Sequence, residues 1–172
     1  MNSTVWKNIG RFVLLMLLQL LVLNQVYMGG YIMPEIYLLF VLMLPTRMPR
    51  VAKLATAFAT GLIVDIMAGT LGFHALASTV VAMSRILFAD RILTRGEEGG
   101  VENPGIRTVA PQYFITYLLL MYAIFFLVLY LTEVLTFRGI ADVLIATVAS
   151  SLVSTLLAIV YQVIFTRKEK NV

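Results

Sequence analysis

Long apolar runs alternate with short polar stretches along this chain. The runs cover residues 12–28, 31–45, 53–69, 72–89, 113–135 and 140–165. A helix of about 20 apolar residues crosses the hydrocarbon core of a bilayer, so the pattern predicts about six transmembrane helices in a single polytopic domain, residues 1–172. The run at 31–45 is short for a crossing, and a re-entrant segment is the alternative.

The polar stretches carry the basic residues in a one-sided way. If the N-terminus is inside and every run crosses, Arg138 alone among the 13 lysines and arginines falls outside. Cytoplasmic loops are enriched in these residues. We therefore predict cytoplasmic N- and C-termini and a cytoplasmic loop over residues 90–112. A re-entrant second run would invert the later loops and remove the asymmetry, so the pattern favours a full crossing.

The basic residues after the second run have a predicted partner of their own. Arg47, Arg50 and Lys53 lie close together between two apolar runs. Basic clusters at the inner membrane surface attract anionic lipids. We expect these three side chains to meet lipid headgroups.

Small residues recur at every fourth position in several runs. In lipid, such ridges allow helices to pack closely. The third and fourth runs, joined by a tight turn at Thr70, Leu71 and Gly72, should form an antiparallel hairpin. The ridges are Ala57, Gly61, Asp65 and Gly69 in the third run and Ala146, Ser150, Ser154 and Ala158 in the last.

Composition supports a membrane protein and excludes several kinds of chemistry. The chain is 60% hydrophobic with a mean hydropathy of +0.93, which is outside the range of soluble domains. It has no cysteine and one histidine, so thiol catalysis, disulfides and multi-histidine metal sites are excluded. No phosphate-binding loop or catalytic motif is present. We predict no enzymatic activity, cofactor, metal site or nucleic-acid partner.

Asp65 is the charged residue that most needs an explanation. A carboxylate at membrane depth costs about 3 kcal/mol and usually faces protein or water. One interpretation is a small outward-facing polar pocket with Asp65 at its floor and His74 beside it. The other, which the position near the helix end favours, is that Asp65 caps the next turn or pairs with His74 or Arg138. Pro34 and Glu35 are interpreted as a helix start.

The stretch from residue 61 to residue 76 resembles the signature of the rod shape-determining protein MreD family. The matching residues are Gly61, Leu62, Asp65, Gly69, Thr70, Leu71, Gly72, His74 and Ala75. The resemblance implies an all-α integral membrane fold, similar to the S components of energy-coupling-factor transporters. It marks Gly61, Asp65, Gly69, Gly72 and His74 as signature positions and supplies no catalytic residue.

The same resemblance implies a function and partners. It implies a non-enzymatic subunit of the bacterial cell-elongation machinery, which builds peptidoglycan and determines rod shape, in the cytoplasmic membrane. The implied partners are MreC, RodA with its partner transpeptidase and, indirectly, MreB filaments. We therefore expect a membrane scaffold. The alternative is a small-molecule-binding, S-component-like subunit of a membrane transporter, with Asp65 and His74 facing an outward pocket.

Overall fold

The computed structural model describes residues 2–25, 32–89, 104–133 and 139–165, and this part of the chain is helical throughout its regular structure. A 3₁₀ turn, Leu23–Gln25, follows the first helix, and a π-helical turn, Arg85–Ala89, continues the fourth. The helices are α1 (Asn2–Leu21), α2 (Leu38–Leu42), α3 (Arg50–Ala68), α4 (Phe73–Ser84), α5 (Pro111–Glu133) and α6 (Ile140–Phe165).

In the part of the chain that the structure describes, three helices are long and apolar enough to cross a membrane. They are Arg50–Ala68, Pro111–Thr132 and Ile140–Phe165, and shorter apolar helices cover Asn8–Leu21 and Phe73–Phe88. Large apolar side chains such as Ile66 and Leu156 lie exposed on the outer faces of these helices. Such surfaces are stable in lipid and not in water, so this is a membrane protein.

The small-residue ridges of α3 and α6 are buried inside the bundle, except at Gly69. α3 packs along α4, α4 along α5, and α5 along α6. Ala57, Gly61 and Asp65 are buried on α3, whereas Gly69, just past its end, is exposed. The four ridge residues of α6, from Ala146 to Ala158, are also buried. The predicted hairpin of α3 and α4 is confirmed.

A segment that we call the buried segment, residues 32–49, runs through the middle of the bundle and reaches the surface at Arg47 and Pro49. It contains α2, which packs against α1, α3, α4 and α5. At one end Glu35 lies beside His74, near the C-terminal end of α3. At the other end the Lys53 Nζ, in the first turn of α3, donates a hydrogen bond to the Thr46 carbonyl at 2.9 Å. The segment therefore runs antiparallel to α3 along most of its length.

Side chains from α1 and α6 hold the extended first part of this segment. Gln19 accepts a hydrogen bond from the Ile36 N–H at 2.7 Å and donates one to the Pro34 carbonyl at 3.2 Å. The hydroxyls of Ser150 and Ser154 accept from the N–H groups of Met33 (3.3 Å) and Glu35 (2.9 Å). The two N–H groups are two residues apart on extended chain, which is about 6.6 Å, and the two serines are four residues apart on a helix, which is about 6 Å. The spacing of the serines therefore matches the spacing of the N–H groups.

The last part of the segment is held through its carbonyl groups. Non-helical backbone is tolerated at membrane depth only where protein or water satisfies its polar groups. Here buried side chains of three other helices act as donors. Arg85 Nη1 donates to Val41 O (2.7 Å), Arg85 Nη2 to Leu44 O, Tyr117 Oη to Leu42 O (2.8 Å) and Lys53 Nζ to Thr46 O (2.9 Å).

Several sequence-based expectations need correction. The helix predicted over 31–45 is wrong: only Leu38–Leu42 is helical, and Glu35 lies in the extended part rather than in a helix start. Hydropathy reports burial, and a buried extended segment is as apolar as a helix. The expectation that Lys53 meets lipid headgroups is also wrong, because the residue is 3% exposed and donates to the Thr46 carbonyl.

The other predicted bounds differ less. α1 begins at Asn2 rather than at residue 12 and ends at Leu21, and residues 26–28 of the predicted run lie outside the described residues. The predicted helices 53–69 and 113–135 lie at Arg50–Ala68 and Pro111–Glu133, and 140–165 agrees with Ile140–Phe165. The helix predicted at 72–89 corresponds to α4 with its π-helical turn. Of the predicted loop 90–112, residues 90–103 lie outside the described residues.

Candidate functional site

The site is built around the turn between α3 and α4. Gly69 ends α3 with φ +70°, and Gly72 precedes α4 with φ +89°. Both values are in the left-handed region that favours glycine. The N–H groups of Gly69 and Thr70 donate to the backbone carbonyl of Asp65, the latter at 2.9 Å. The two glycines thus reverse the chain within four residues after α3.

The Asp65 carboxylate caps the start of α4 from the neighbouring helix. Its Oδ2 accepts the Ala75 N–H at 2.8 Å, and its Oδ1 accepts the His74 N–H at 3.1 Å and the Thr70 hydroxyl. The first N–H groups of a helix have no partner within the helix. The usual cap is the side chain at the N-cap position, but that residue is Gly72. Asp65 takes over this role.

Gly61 allows the two helices to come close enough for this cap. A Cβ on Gly61 would lie 2.5 Å from the His74 carbonyl oxygen and 2.6 Å from the Ala75 Cα. These are backbone atoms, which cannot move aside as a flexible side chain can. The glycine is therefore required by the helix contact, one turn before Asp65 on the same face of α3.

His74 connects this cap to the buried segment. Its Nδ1 lies 3.0 Å from Asp65 Oδ1, and its Nε2 lies 3.5 Å from Glu35 Oε1. The exposed fractions of Asp65, Glu35 and His74 are 1%, 4% and 8%. An acid–imidazole–acid chain thus links α3, α4 and residues 32–37 inside the bundle.

Aromatic and hydroxyl groups surround this chain. The Tyr37 and Phe125 rings flank the imidazole, each with its centroid 6.4 Å away, and the Tyr37 hydroxyl lies 3.0 Å from Ser78 Oγ. Glu35 Oε2 and the Tyr122 hydroxyl are buried and have no hydrogen-bond partner among the described residues.

The five signature residues predicted from the sequence occupy one structural unit. Gly61, Asp65 and His74 lie in the contact between α3 and α4, while Gly69 and Gly72 shape the turn. The predicted cap and the predicted pairing with His74 both occur. Arg138, the other partner considered for Asp65, lies outside the described residues. In the described part of the chain, no group of three or more histidine or acidic side chains could hold a metal ion.

Sequence reasoning missed the role of Glu35 in this unit. It interpreted Glu35, together with Pro34, as part of a helix start. The signal was an acidic residue joined directly to an apolar run of nine residues, positions 36–44. A carboxylate that close to a buried run needs an internal partner, and in this fold His74 lies opposite it.

No protein-family model, curated protein sequence or solved structure matches this chain.

Proposed function

We propose that the chain is a non-enzymatic scaffold subunit of the bacterial cell-elongation complex, which synthesises peptidoglycan and sets rod shape. The observation that carries the proposal is the role of the signature residues in closing the α3–α4 hairpin. Asp65 accepts hydrogen bonds from the turn and from α4 with both carboxylate oxygens. A carboxylate used in this way is a structural lock, as expected of a scaffold.

The proposed setting is the bacterial cytoplasmic membrane, crossed six times, with both termini in the cytoplasm. Its support is the distribution of basic residues and the course of the buried segment from one end of α3 to the other. The exposed apolar faces of α3, α5 and α6 are then available to lipid and to partner helices. The proposed partners are MreC and RodA with its transpeptidase, and indirectly MreB filaments.

The test is partner recovery from native membranes. A tagged chain is crosslinked mildly and purified, and the associated proteins are identified by mass spectrometry. We expect MreC, RodA and the transpeptidase. Recovery of an ATPase pair with a coupling membrane subunit would overturn the scaffold proposal in favour of a transporter component.

Variants sharpen this test. Gly61→Leu and Asp65→Asn should reduce partner recovery and make rod-shaped cells round when the variant is the only copy. Gly10→Leu is the matched control, since a Cβ on Gly10 meets nothing within 4 Å. Cells that stay rod-shaped with Gly61→Leu or Asp65→Asn at normal protein levels would show that the scaffold does not depend on the signature.

A second candidate, a small-molecule-binding subunit of a transporter, is favoured by one observation. Glu35 Oε2 and the Tyr122 hydroxyl are buried polar atoms that have no partner within the described part of the chain, and buried polar groups normally have one. A ligand with hydrogen-bond donors would satisfy Glu35 Oε2. The test is native mass spectrometry of gently purified protein: a bound metabolite that is lost in Glu35→Gln supports this candidate, and ligand-free protein contradicts it.

A further inference from the structure

A neutral imidazole is sufficient for the contact between His74 and Asp65. The contact between His74 and Glu35 requires one additional proton. A neutral imidazole carries one N–H. With that hydrogen on Nδ1, where Asp65 Oδ1 accepts it at 3.0 Å, the lone pair of Nε2 faces Glu35 Oε1 at 3.5 Å. A carboxylate oxygen and a nitrogen lone pair repel each other. The link to Glu35 closes only when a second proton lies between these two atoms.

Among the described residues, the groups around Glu35 offer it no counter-charge other than His74. Within the described residues, the ion pairs of Glu35 and Asp65 are the two with His74. The other described groups that face the cluster carry no charge. They are the hydroxyls of Thr70 in the turn, Ser78 on α4, Tyr37 in the segment and Tyr122 on α5, and the Phe125 ring. On α6, the Ser154 hydroxyl receives the Glu35 N–H. Without the second proton, Glu35 would be a buried and unpaired carboxylate, which is strongly unfavourable.

We propose that a titratable proton between His74 Nε2 and Glu35 Oε1 fastens residues 32–37 to the α3–α4 hairpin, so that the attachment is pH-sensitive. When the proton is present, Glu35 is tied to His74, and His74 to Asp65. When it leaves, as the pH rises, the link to Glu35 opens while the Asp65 cap stays closed. In the six-crossing arrangement proposed above, this end of the bundle faces the outside of the cell. The proton site itself does not depend on the scaffold proposal.

Nitrogen NMR of the imidazole tests the proposal directly. His74 is the only histidine, so protein labelled with ¹⁵N-histidine and purified without a histidine tag shows the two nitrogens of one ring. The spectra are recorded in detergent micelles from about pH 5 to about pH 9, which brackets the range in which histidine changes charge. We expect the Nε2 signal to titrate while Nδ1 remains protonated. A neutral ring with an unchanged Nε2 signal across this range would overturn the proposal.

Thermal unfolding of a matched pair of variants provides a second, independent readout. In Glu35→Gln, the amide can donate to a neutral His74 Nε2, so its link does not need the proton. We expect the melting temperature of the wild type to fall with rising pH relative to that of Glu35→Gln. Asp142→Asn, which removes an exposed carboxylate on α6, should keep the pH dependence of the wild type. Equal pH dependence in the wild type and Glu35→Gln would contradict the proposal.

Discussion

At the scale of single residues, close helix contact makes Gly61 the most sensitive small residue of the site. Gly61→Ala should destabilise the protein by about 2 kcal/mol, because overpacking costs about 1–3 kcal/mol and the added Cβ meets backbone of α4. Gly10→Ala is the control, and should be neutral or stabilise by up to about 1 kcal/mol through helix propensity. The measurement is unfolding in detergent micelles. Equal stability of the two variants would show that α3 and α4 are not packed so closely.

The second prediction at this scale concerns the carboxylate of Asp65. Asp65→Asn keeps the size of the side chain but replaces one acceptor oxygen with a donor, which would face an N–H group of His74 or Ala75. Leaving a buried donor unsatisfied costs about 1–3 kcal/mol, and we expect a loss in that range in the same unfolding assay. Asp142→Asn, at an exposed position, should change stability by less than about 0.5 kcal/mol.

Most of the site could be predicted from the sequence because most of its residues are close together in the chain. Gly61, Asp65 and His74 lie within 14 consecutive residues, and helical spacing with one tight turn brings them together. Glu35 was not predicted as a member because its contact joins residues far apart in the chain. The spacing of apolar residues carries no information about which distant side chain faces a buried carboxylate.

At the scale of elements, the buried segment explains why the helix predicted over residues 31–45 is reduced to Leu38–Leu42. Its polar backbone is satisfied by side chains such as Gln19 and Ser154, which lie on helices remote in sequence. Hydropathy indicated a buried run correctly, but a helix and a supported extended segment have the same apolar pattern. What distinguishes them is the set of polar side chains on neighbouring helices, and their orientation follows from the tertiary fold.

If neighbouring side chains support the extended backbone, replacing Gln19 should lower the stability of the protein. Gln19→Leu is similar in size but leaves the Ile36 N–H and the Pro34 carbonyl without this partner. We expect a loss of about 2–4 kcal/mol, since each unsatisfied buried group costs about 1–3 kcal/mol. Gln112→Leu is the same change at an exposed position and should have little effect. Full stability of Gln19→Leu would mean that the extended segment does not rely on side-chain support.

At the scale of the whole molecule, the buried segment bears on the number of membrane crossings. The five non-helical residues 32–36 cover up to about 16 Å, and Tyr37, whose dihedral angles are already helical, adds about 9 Å together with the five residues of α2. Together they approach the hydrocarbon thickness of about 30 Å, although neither part would cross alone. A segment with so little helix therefore has the length for a full crossing, and contacts at both ends of α3 agree with one.

The last prediction tests this crossing through reporter fusions. Fused after residue 49, a fluorescent protein that folds only in the cytoplasm should be bright, and alkaline phosphatase, active only outside, should be inactive. Fusions after residue 71, in the turn next to the Asp65 cap, should give the opposite pair of results, because α3 separates the two positions. Fusions after Phe165 should again report the cytoplasm. If the buried segment is re-entrant instead, position 49 lies on the outer side, and the results of the fusions after residues 49 and 71 are exchanged. Lys53 and Arg85 would then bind the carbonyl groups of the segment at the outer end of the bundle.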